Sequence, residues 1–61
     1  MAVSIIAARV IAHEVIDEVG VDKARSLLRR LAKVTANESY QTSIARVQEQ
    51  IEQVAKEVKF G

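Results

Sequence analysis

Gly20 is the feature that most limits what this chain can become. The 61 residues contain no proline, and the other glycine is the final residue, so Gly20 alone interrupts the interior as a helix breaker. The apolar-rich segment Ala2 to Val19 precedes it, and Val21-Asp22 follows. A glycine after the last turn of one helix, then an aspartate capping the next, is a stop and a restart. A first helix is expected over about residues 2–19, and a second from about 22 to 34.

The next boundary is softer. Val34-Thr35-Ala36-Asn37-Glu38-Ser39 carries β-branched residues and side chains that compete for backbone hydrogen bonds. Thr35 with Glu38 fits a capping box, and Asn37 or Ser39 offers an alternative cap. The phase of the apolar stripe supports a break. Continued at about 3.6 residues per turn, Leu27, Leu31 and Val34 call for apolar residues near 38, 42 and 45. The stripe instead runs Tyr40, Ile44, Val47, Ile51, Val54, Val58, shifted by nearly half a turn. A third helix over about 38–59 follows. The fold class is all-α, a single domain over residues 1–61, either a small bundle or an open helical arrangement completed by oligomerisation.

Size makes the second alternative a serious one. A domain of about 60 residues buries only about 60% of the surface its unfolded chain exposes, and such chains often rely on disulfides, metals or oligomerisation. There is no cysteine and only one histidine, so disulfides and the usual zinc sites are excluded. Self-association is the remedy left. A hydrophobic fraction of 49% with 28% charged residues is that of a folded chain. The net charge of +1 gives no bulk attraction to nucleic acid or anionic membrane. Arg9 and His13 break the apolar start well short of the ~20 residues a membrane span needs, and no signal-peptide pattern is evident. A soluble protein, cytoplasmic or within an assembled particle, is expected.

Each helix carries a distinct surface. Helix 1 has a main apolar face of Ile5, Ala8, Ala12, Val15, Ile16 and Val19, and a second stripe, Val3, Ile6 and Val10, on the opposite side. A helix apolar on two sides is sandwiched between partners. Helix 2 sets Ala24, Leu27, Leu28, Leu31 and Val34 against a basic face of Lys23, Arg25, Arg29, Arg30 and Lys33. That face suits phosphate contact, an acidic partner, or the chain's own carboxylates. The third reading is favoured by charge, since helix 1 is net −2, helix 2 with Asp22 is +4 and helix 3 is −1. In helix 3 the 4-and-3 alternation of Tyr40, Ile44, Val47, Ile51, Val54 and Val58 is a coiled-coil-like seam of about two and a half heptads. It fits an intermolecular coiled coil or antiparallel packing inside a bundle equally well.

Chemistry is thin. Ser4, Ser26, Ser39 and Ser43 lack a base, because His13 is the one imidazole. His13 and Asp17 share a helix face, but a zinc-protease motif needs a second histidine where Asp17 stands. No glycine-rich phosphate loop occurs. A helix-turn-helix would make helix 3 the reading helix, whose middle holds a single Arg46 while the cations lie on helix 2. No enzyme, cofactor, metal or small-molecule substrate is expected. The expected function is a structural or assembly subunit, of the kind found in a virus or phage particle. It would self-associate through Val3, Ile6, Val10 and the helix 3 seam. The alternative is a small nucleic-acid-binding or regulatory protein that uses Lys23, Arg25, Arg29, Arg30 and Lys33.

Overall fold

The computed structural model describes the backbone of residues 2–60 and the side chains of residues 2–57. Three helices follow one another with short connections: α1 (Ile5–Val19), α2 (Val21–Val34) and α3 (Glu38–Phe60). The fold is all-α, as expected.

The helix ends differ from the expectation by a few residues, each for a local reason. Helix α1 begins at Ile5 because Ser4 is its cap: the Ala7 N–H donates to Ser4 Oγ at 3.1 Å. Gly20 closes α1, its N–H donating to the Ile16 carbonyl at 2.8 Å, and the same residue serves as N-cap of α2. Asp22, expected to be that cap, sits one position inside the first turn, where a carboxylate complements the helix dipole. At the second break the capping box does not form. Asn37 caps instead, its Oδ1 accepting from the Tyr40 N–H at 3.2 Å. Thr35 ends α2 in an extended conformation, and its carbonyl accepts from Gln41 Nε2 at 2.7 Å.

The pairings fix the topology. Val3 N–H donates to Ser43 Oγ at 3.0 Å, and Arg46 Nη1 donates to the Val3 carbonyl at 2.7 Å. Further along, Arg9 reaches Gln50 and Glu57. Position rises on both helices together, so α1 and α3 run parallel. Arg25 near the start of α2 meets Glu52 far along α3, so α2 runs against both. The result is an up-down-up bundle measuring 35 × 21 × 15 Å, in which every pair of helices packs together.

Its core is small. Ala8, Ala12, Ala24, Leu28, Val47, Ile51 and Val54 are buried, with Val3, Val15, Ile16 and Ile44 packed against them. Among the described residues, three of the seven that are buried are alanines, which allow α1 and α2 to approach closely but contribute little apolar area. Ile51 and Val54 are the largest side chains that are fully enclosed.

The core corrects part of the expected interface. Val47, Ile51 and Val54 are enclosed within one chain, and Ile44 and Val3 lean on the same cluster. The α3 seam is thus the inner face of the bundle along these positions, because α1 and α2 both pack against it. Tyr40, on the same line, lies one turn beyond this cover and is 64% exposed. The Val58 side chain lies outside the described residues.

Candidate interaction surfaces

With the core so small, large apolar side chains remain outside. Ile5, Ile6, Val10, Ile11, Val19, Leu27, Leu31, Val34 and Tyr40 are all exposed, which among the described residues is more than twice the number of large side chains buried. They fall into separate strips on the helices.

On α1, the buried positions Ala8 and Ala12 define the inner side. Ile6 and Val10, one turn apart, lie opposite, 79% and 57% exposed. His13 and Asp17 continue the same line toward the C-terminal end, and both are exposed. Of the stripe expected to face outward, Ile6 and Val10 do so, whereas Val3 turns inward.

On α2, Ala24 and Leu28 mark the inner side, one turn apart. Leu27, Leu31 and Val34 lie around the helix from that line and stay open, Val34 at 79%. In the sequence these three share the apolar side of the helix with Ala24 and Leu28, yet only the last two are buried. The apolar arc of α2 is wider than the strip that two neighbouring helices cover, and that width was the available signal. Beside this strip, Val19, Lys23, Ser26, Leu27 and Arg30 line an open depression of about 340 Å³. Cations and aliphatic groups there share one surface.

The basic face divides in two. Arg25 is held by α3: its Nε donates to Glu52 Oε2 at 2.6 Å and Nη2 to Oε1 at 2.8 Å, while Asp22 lies 3.6 Å from Nη1. The hydrogen bond from Arg25 holds the Glu52 carboxyl below its ordinary range, and the same bond raises the guanidinium. Arg25 and Glu52, with Arg29, Gln48 and Ile51, line a small cleft of about 110 Å³ between α2 and α3. Lys23, Arg29, Arg30 and Lys33 are exposed, and the ion pairs found among the described residues do not include them.

The acidic side is similar. Glu57 is paired with Arg9, whose hydrogen bond holds that carboxyl below its usual value. Glu14, Asp17 and Glu18 of α1 are exposed, and they too are missing from those pairs. The charge complementarity between helices 1 and 2 is real in composition but is not satisfied between them within one chain. The bonds from Arg9 to α3 and from Arg46 of α3 to the Val3 carbonyl are not legible in the sequence, since nothing in the spacing distinguishes these two from other arginines.

Among the described residues, no three acidic or imidazole side chains converge as a metal site, and no helix is long and apolar enough to cross a membrane. Comparison with protein-family models, curated proteins and solved structures finds no match.

Proposed function

We propose that this chain is a non-enzymatic assembly subunit that associates with copies of itself, as a component of a larger particle. One observation carries the reading: among the described residues, more large aliphatic side chains lie on the surface than in the core, and they are grouped in strips. Scattered surface aliphatics are ordinary, but contiguous strips rimmed by charge are typical of contact surfaces. Light scattering across a concentration series tests it. Assembly gives a mass well above the single-chain 6.7 kDa that rises with concentration, and a constant single-chain mass rejects the reading.

A second reading rests on the four exposed cations Lys23, Arg29, Arg30 and Lys33, which take no part in the ion pairs found among the described residues. They suit a phosphate backbone, and Arg25, bound to Glu52, adds less. Binding of nucleic acid would weaken steeply with salt. A titration of duplex DNA and of RNA at low ionic strength decides it, because absence of binding there removes this alternative.

A further inference from the structure

We infer that copies join head to tail, with the outer stripe of α1 on one copy lying antiparallel on the flank of α2 of the next. This deepens the self-association reading and rests on it.

The two stripes match in spacing. Ile6, Val10, His13 and Asp17 recur at steps of 4, 3 and 4 along α1, and all four are exposed. Lys23, Leu27, Arg30 and Val34 recur at the same steps along α2, and all four are exposed. Steps of 3 and 4 keep each set on one line of its helix. Laid antiparallel, Ile6 meets Val34 and Asp17 meets Lys23. Between them, Val10 lies beside the aliphatic stem of Arg30 and His13 beside Leu27. Laid parallel, the same stripes set Ile6 on Lys23 and Asp17 on Val34, a mismatch at both ends. Chemistry therefore selects the antiparallel direction.

Charge supports a second copy as the occupant. The carboxylates Glu14, Asp17 and Glu18 and the cations Lys23 and Arg30 are absent from the ion pairs found among the described residues. Each set is what the other lacks. The depression lined by Val19, Lys23 and Leu27 widens the receiving surface at its charged end. Because the two stripes lie on different helices, the contact joins unlike patches, and repetition gives a ring or a filament.

Two doubly substituted chains test this. Ile6→Asp with Val10→Asp blocks the α1 stripe, and Lys23→Glu with Val34→Asp blocks the α2 stripe. All four positions are exposed, so helix content by circular dichroism should match the parent, and Ile6→Gln with Val10→Gln replaces the first pair if it does not. Each blocked chain alone is expected to sediment as a single chain. Mixed, they should form a one-to-one complex of about twice 6.7 kDa and stop there, since each retains one intact stripe. If the mixture forms no complex, or either blocked chain assembles like the parent, this contact is wrong while self-association through another surface stands. If the parent itself stays a single chain, the broader reading fails as well.

Discussion

Gly20 adopts φ 85° and ψ 166°, a backbone conformation close to glycine-only territory. No atom stands within 4 Å of where a Cβ would be, so the constraint is conformational and not steric crowding. Gly20→Ala is therefore expected to destabilise by about 1–3 kcal/mol, read by urea denaturation. Ile51 is the largest side chain at the centre of the core, and Ile51→Ala is expected to cost about 2–5 kcal/mol. Two carboxyls link stability to pH. Glu52 and Glu57 ionise more readily in the folded chain, through hydrogen bonds from Arg25 and Arg9. The stability they contribute is present above the ordinary glutamate value of about 4.3 and is lost as pH falls through the lower folded value. Both pairs are exposed, so the effect is small. The melting temperature should hold between pH 7 and about 5.5, then decline below about 4.5, and decline less in Glu52→Gln.

At the scale of the helices, Ala8 and Ala12 on α1 and Ala24 on α2 are fully buried, and their small side chains let the helices approach closely. Ala12→Leu forces the bundle apart and is expected to cost about 1–3 kcal/mol in the same denaturation measurement. The three helices were legible in the sequence because glycine, cap residues and a change of stripe phase are local signals. Their ends shifted where several caps competed: Ser4, Asn37 and Gly20 hold the ends, whereas Asp22 and Thr35 had been favoured. The basic face of α2 was legible as a pattern, but the removal of Arg25 by Glu52 depends on a neighbour distant in sequence. The same holds for the α3 seam. Its spacing showed lengthwise packing, and only the fold showed that Val47, Ile51 and Val54 pack within their own chain. The exposure of Leu27, Leu31 and Val34 is hidden from the sequence for the complementary reason, since amphipathicity records which side is apolar and not how much of it a neighbour covers.

For the molecule as a whole, the up-down-up bundle encloses a core that counts seven of the described residues and leaves two apolar-and-charged stripes on its outside. A folded state of this kind is stabilised further by whatever covers those stripes, and mass action then ties stability to concentration. The most direct test is the urea midpoint of the unsubstituted chain at concentrations from about 1 to about 100 µM. The account predicts that the midpoint rises steadily with concentration and that Ile6→Asp with Val10→Asp abolishes the rise while the helices remain. A midpoint identical at every concentration, with the mass of a single chain throughout, would contradict it.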